Sequence, residues 1–231
     1  SGSGKTVTTL ALLRHFRREG VKVHSFKVGP DYIDPAFHSA AGSTVCRNID
    51  GWAMRRETRT QVLDETAAGA SHVIGEGVMG LFDGAPDGSG STADIAAEVG
   101  LPVVLVVDVK GQAASAAAVI EGFADHRRDV DVVGVIFNRV GGDGHRLTLA
   151  AACAEMDIAV LGYLPRDERL VLPERHLGLI QAGEHDDLDA RLDAAADVAG
   201  AHIDTAALLR VARPLTGGKT LPISPPLPPL G

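Results

Sequence analysis

Residues 101–109 read Leu-Pro-Val-Val-Leu-Val-Val-Asp-Val, a nearly unbroken apolar run of strand length. A strand with one wet face alternates polar and apolar residues, so this run predicts a central parallel strand covered on both faces. Residues 21–28, 71–75, 130–138 and 158–164 read as further strands. Helical patterns separate them at 52–68, 112–123, 147–156 and 188–198, and Ser91-Thr92-Ala93-Asp94 forms a capping box for a helix that stops at Gly100. Strands alternating with helices of this length require βαβ units with right-handed crossovers. The expected fold class is therefore α/β, a mostly parallel, doubly wound sheet.

The chain opens on Ser1-Gly2-Ser3-Gly4-Lys5-Thr6. Gly4-Lys5-Thr6 ends a phosphate-binding loop of the form G-x-x-x-x-G-K-[ST], whose backbone N–H groups wrap phosphates while the lysine neutralises them. Val7, Leu10, Leu13 and Phe16 follow at three-residue steps, with Gly20 as a stop. The motif thus opens a helix, and a helix N-terminus attracts anions through its free N–H groups. The first glycine of the pattern falls two residues before Ser1. A P-loop NTPase-like fold whose first strand lies outside the chain is the expectation.

Composition narrows the partners. A hydrophobic content of 45% over 231 residues is enough for a full core. The net charge of −8 lacks the basic footprint of a nucleic-acid binder, so any anionic ligand must be held by locally placed Lys and Arg. No apolar run is long enough to span a bilayer, and the two cysteines, Cys46 and Cys153, lie in no metal-binding pattern. A cytoplasmic protein with reduced thiols is expected, with a homodimer as one assembly to test. Residues 1–200 are expected to form the domain; 201–231, ending in a proline-rich stretch, read as a linker or tail.

Several side chains fall where open α/β sheets bind ligands, at the carboxyl ends of strands. Lys5 and Thr6 divide the labour of phosphate and Mg²⁺ binding. Glu76 directly follows a strand and lies beside glycines, placed to hold a metal or its water. Asp31, Asp34 and Asp83 sit on loops at the same edge, where carboxylates near a nucleotide imply a metal or a hydrogen-bonding role. Each is equally readable as a turn former. Lys27 ends an apolar strand within reach of phosphates, and Asn138 is placed to read a base edge with its amide. With no Asn-Lys-x-Asp, adenine is the preferred base. Arg175 and His176 form a loop pair of open role.

Four stretches together carry a resemblance: Lys27-Val28-Gly29-Pro30-Asp31-Tyr32-Ile33-Asp34-Pro35, Glu76-Gly77-Val78-Met79-Gly80-Leu81-Phe82-Asp83-Gly84, Phe137-Asn138-Arg139-Val140 and Arg175-His176-Leu177-Gly178-Leu179. From Ser1 to about Ile180 the chain resembles the synthetase domain of cobyrinic or hydrogenobyrinic acid a,c-diamide synthase. More distantly it is similar to dethiobiotin synthetase and the partitioning ATPases. The resemblance implies ATP- and Mg²⁺-dependent amidation of two acetate side chains of a corrinoid, through an acyl phosphate, in cobalamin synthesis. It also implies that the loop residues Ser1, Gly2, Ser3, Gly4, Lys5 and Thr6 bind ATP, joined on the strand-end reading above by Lys27 and Asn138, and that Thr6, Glu76 and Asp31 serve the metal. Lys5, Asp31, Asp34, Glu76 and Asp83 become the catalytic set.

Members of that family continue into a glutamine amidotransferase domain that releases ammonia from a cysteine nucleophile. Neither Cys46 nor Cys153 lies in a Gly-x-Cys-x-Gly elbow, so ammonia is expected from an amidotransferase domain or subunit outside this chain. Competing readings are a synthetase on another tetrapyrrole, dethiobiotin synthetase itself, and a partitioning-type ATPase switch. A switch has no evident need for Asp31 and Asp34 beside its nucleotide.

Overall fold

Residues 132–140 show how the sheet divides its faces. Val135 and Phe137 enter one apolar core while Ile136 between them enters another, the period-two alternation of a strand buried on both sides. A computed structural model describes residues 2–171 and 187–215. In chain order the elements are α1 (Lys5–Arg18), β1 (Val23–Val28), α2 (Asp34–Gly42), β2 (Arg47–Ile49), α3 (Arg56–Ala67), β3 (His72–Glu76), α4 (Thr92–Val99), β4 (Val103–Asp108), α5 (Ser115–Asp125), β5 (Val132–Val140), α6 (Asp143–Ala152) and β6 (Ala159–Pro165). A 3₁₀ turn (Glu168–Leu170), α7 (Leu188–His202) and α8 (Thr205–Arg210) follow.

All strand pairs are parallel, in the order β2-β1-β3 and β4-β5-β6. The single sheet expected from the sequence is thus two three-stranded sheets among the described residues. The 101–109 run corrects a further expectation: β4 lies at the end of its sheet, paired to β5 alone, and most of its residues are only half-buried. Ile74 of β3 and Val104 of β4 nevertheless pack against one common core, so the two sheets share the layer formed by α1, α2 and α7.

Helices cover both faces. Leu10, Leu13 and Phe16 of α1, Phe37 and Ala41 of α2, and Leu192, Ala195 and Ala199 of α7 build the core on one side. On the other side α5 and α6 pack against β4 to β6, and Leu63 of α3 with Ile95 of α4 pack against β1 and β2. The capping box forms as expected: Ser91 Oγ accepts from Asp94 N–H, Asp94 accepts from Ser91 N–H, and Gly100 closes the helix in the left-handed region. Elements not expected include α2 and the three-residue β2. The helix expected from residue 52 starts at Arg56 instead, because Asp50 accepts hydrogen bonds from the N–H groups of Trp52 and Ala53 and holds a turn there.

Helical structure also runs past residue 200. Beyond α7, the Asp204 side chain caps α8, and Ala207, Leu208 and Leu209 pack against the core under α1. Helix and core packing thus continue past residue 200, the expected end of the domain. Arg175, His176 and the proline-rich end lie outside the described residues.

Candidate functional site

The alternation of β1 and β3 decides which side chains meet. On β1, Phe26 and Val28 enter the core beneath α3, which turns Ser25 and Lys27 to the opposite face, beneath α1 and α2. On β3, Val73 packs on the α3 side, and Ile74 and Glu76 take the other. Lys27 and Glu76 are cross-strand partners in the parallel register, so they emerge side by side at the carboxyl end of the sheet.

Two helices bring the remaining groups. Gly4 precedes α1 at φ +93°, a conformation costly for any residue with a Cβ, and a Cβ there would clash with Asn138 Nδ2. Glycine therefore lets the loop close onto β5. The first turn of α1 carries no acidic residue, and its last turn carries Arg17 and Arg18, a distribution that leaves the N-terminal end free for an anion. Pro35 sits in the first turn of α2, where its missing N–H costs nothing. Asp34 is the first residue of that helix and His38 lies one turn later, so both face the sheet.

Together they form a buried ionic cluster. Thr6 Oγ1 donates to Glu76 Oε1 at 2.6 Å and lies 3.3 Å from Asp34 Oδ2. Lys27 Nζ donates to the same two oxygens, each at 2.7 Å. The other Glu76 oxygen, Oε2, accepts from His38 Nε2 at 2.6 Å, and His38 Nδ1 is 3.1 Å from Ser25 Oγ. Lys27 and Glu76 are each 3% exposed and His38 is fully buried. Burying charges at this density is costly unless each is paired, and here each is.

The protonation states follow. Burial disfavours the Glu76 carboxylate, but His38 and Lys27 outweigh it and hold its pKa below the usual range. Burial likewise disfavours a charged His38, yet the neighbouring Cys46 and the Glu76 carboxylate hold it up to about 9. Burial also disfavours the Lys27 ammonium, and Glu76 and Asp34 together raise its pKa nonetheless. Lys5 is the contrast: burial, with Lys27 nearby, lowers it despite attraction from Glu76, Asp34 and Asp83.

The other expected residues are placed differently. Asp31 is not in the cluster; its Oδ1 accepts from the N–H groups of Ile33 and Asp34, which makes it the turn former that starts α2. Asp83 accepts from Gly80 N–H and holds the loop after β3. Asn138 is only 4% exposed, and both ends of its amide are engaged: Nδ2 donates to the Ser3 carbonyl and Oδ1 accepts from Arg139 N–H. It braces the phosphate loop, and the expected reading of a base edge is not what its geometry provides. Arg139 adds a bond to the Gly2 carbonyl and an ion pair to Asp108. Ser1 lies outside the described residues. His38 escaped the sequence reading, because the helix that places it one turn after Asp34 was not expected.

The donor set suits a small hard cation. No group of three or more His, Cys, Asp and Glu side chains surrounds an ion position among the described residues. Magnesium in nucleotide sites takes only one or two carboxylates and completes its shell from phosphate and water, so Thr6, Asp34 and Glu76 are a sufficient protein contribution. Among the described residues no helix is long and apolar enough to cross a membrane.

Residues 1–180 match the model of the CobQ/CobB/MinD/ParA nucleotide binding domain. The hydrogenobyrinate a,c-diamide synthase of Brucella anthropi is 53% identical over 209 residues, 90% of this chain and 48% of that protein. Those of Rhizobium meliloti and Rhodobacter capsulatus are 51% and 52% identical, over 95% and 92% of this chain and 51% and 49% of theirs. The chain spans about half the length of the curated relatives it matches. It belongs to the CobQ/CobB/MinD/ParA nucleotide-binding domain family.

Proposed function

We propose that this chain is the ATP-dependent synthetase part of a hydrogenobyrinate or cobyrinate a,c-diamide synthase, a carbon–nitrogen ligase of cobalamin synthesis. The observation that carries the reading is the convergence of Thr6, Asp34 and Glu76 on one point at the N-terminal end of α1, behind a phosphate loop. Relatives bearing that name are similar along nine-tenths of the chain.

In this reading the loop N–H groups and Lys5 hold the triphosphate, and Thr6, Glu76 and Asp34 would hold Mg²⁺. The ion, when bound, neutralises charge on the phosphates. A substrate carboxylate attacks the γ-phosphorus; the bond to the β–γ bridging oxygen breaks, ADP leaves, and an acyl phosphate results. Ammonia then attacks the acyl carbon, the bond to phosphate breaks, and the amide forms after loss of a proton. Repulsion between a carboxylate and a tetraanionic nucleotide is the main barrier, so charge neutralisation and positioning do most of the catalytic work. Asp31 and Asp83 contribute by holding the loops that carry Asp34 and follow Glu76. Tyr32, Trp52 and Met79, all well exposed on the loops after β1, β2 and β3, suit an apolar macrocycle. Ammonia comes from a glutamine amidotransferase unit outside these residues.

The test is amidation of hydrogenobyrinic acid with ammonium as nitrogen source, followed by ADP release. Lys5→Ala should lower kcat/KM by about a hundredfold or more, because it removes a charge that meets the transferring phosphoryl group. Asp34→Asn should lower kcat more than it weakens ATP binding. Unchanged turnover in Lys5→Ala, or no ADP release with any corrinoid acid, would overturn the assignment.

A further inference from the structure

We propose that the Lys27 ammonium occupies the seat of the divalent cation in the nucleotide-free protein and must leave it before that cation is bound. The inference rests on the synthetase reading only in taking the ion to arrive with a nucleotide. Lys27 Nζ lies 2.7 Å from Asp34 Oδ2 and 2.7 Å from Glu76 Oε1. Thr6 Oγ1 lies 3.3 and 2.6 Å from those same two atoms. Two of the three oxygens that suit magnesium therefore already flank one positive charge, and the third, Thr6 Oγ1, donates to one of them.

A magnesium ion needs its oxygens at about 2.0–2.1 Å. It cannot take two of them while an ammonium keeps hydrogen bonds to both, because like charges at that separation repel strongly in so dry a site. Exchange is mechanically simple. The four groups come from the ends of β1 and β3 and the first turns of α1 and α2, and a lysine stem can swing by rotamer change alone. The incoming triphosphate at the end of α1 supplies the anion toward which the ammonium moves. His38 stays on Glu76 Oε2 throughout, so the carboxylate is held while its other oxygen changes partner. The lysine thus keeps two buried carboxylates neutralised when no ligand is present, and it makes metal binding conditional on nucleotide.

Mn²⁺ serves as the probe, titrated by the EPR signal of the free ion against nucleotide-free protein. Lys27→Met should bind it at least about tenfold more tightly than the wild type, since a competing charge is gone. Lys27→Arg, which keeps the charge, should bind as weakly as the wild type. The Tm of Lys27→Met should be low in EDTA and recover with Mn²⁺, while the wild-type Tm should not respond to Mn²⁺ alone. Equal Mn²⁺ affinity of nucleotide-free wild type and Lys27→Met overturns the proposal. Should Lys27→Met not fold, the wild type decides by NMR. The Lys27 ammonium resonance should move on adding Mg²⁺ with a non-hydrolysable ATP analogue and stay put with Mg²⁺ alone; an unmoved resonance in the bound complex overturns the exchange. Neither arm assays amidation, and failure of the analogue to bind would sink the synthetase reading while the nucleotide-free comparison still judges the exchange.

Discussion

The two ends of α1 carry ion clusters of the same make and opposite purpose. At its N-terminal end Thr6 joins Lys27, Asp34, Glu76 and His38; toward its C-terminal end Arg14 and Arg18 reach Asp189, Asp193 and Asp197 of α7. Distances do not separate them: Lys27 lies 2.7 Å from Glu76, and Arg14 lies 2.7 Å from Asp193. Exposure does. The Lys27 and Glu76 side chains are 3% and 2% exposed, those of Arg18 and Asp197 45% and 56%. An exposed pair is screened by water and costs little to form, so the Arg18–Asp197 arm of the α7 cluster tolerates change, while the buried Arg14 has its aspartate partners at the surface. A buried cluster carries a desolvation penalty that apolar packing avoids, and it is kept where charge is needed.

Breaking the buried cluster should have the largest effect. Glu76→Ala leaves Lys27 and His38 as buried cations without their carboxylate and should destabilise the protein by about 3–5 kcal/mol, measured by urea unfolding. Gly4→Ala comes next: the left-handed φ and the Asn138 contact should cost about 1–3 kcal/mol and displace the phosphate loop. The cost should shrink in an Asn138→Ala background, because the clash partner is gone; additive effects would show that the loop does not depend on that contact.

A pH series sharpens the comparison further. The folded His38 pKa, about 9, lies above its ordinary value of 6.5. Its contribution to stability is therefore fully present below 6.5 and is lost as pH rises through 9. Ser25, Cys46 and Glu76 face it, so thermal scans should show Tm falling across that window, and the fall should be smaller in a His38→Asn variant. At the other end of α1, Arg18→Ala should cost less than about 1 kcal/mol and leave ATP turnover unchanged.

The same contrast explains what could be read from the sequence. The strand and helix series, the capping box at Ser91 and the phosphate loop are local, and each formed near where its pattern lay. Lys27, Asp34 and Glu76 were legible because strand ends and turn residues fall at the ligand edge of such sheets. Asp31 and Asn138 have the same residue types in the same places, yet the first caps a turn and the second braces a loop. Which role a side chain takes was decided by neighbours distant in sequence, such as Ser3 for Asn138. His38 was hidden for the same reason: only the meeting of α2 with β3 gives it Glu76 as a partner. The short strand β2 carries Arg47 and Asn48, which hide its pairing with β1.

The central claim is that the buried cluster at the N-terminal end of α1 is where nucleotide phosphate and metal meet. Calorimetric titration of ATP, with and without Mg²⁺, into the wild type and Glu76→Gln tests it most directly. Gln keeps the size of Glu76 and one acceptor oxygen but not its charge. The account predicts that Mg²⁺ tightens ATP binding by about tenfold or more in the wild type and that Glu76→Gln loses this gain while still binding ATP. A variant that keeps the full Mg²⁺-dependent gain would contradict the account.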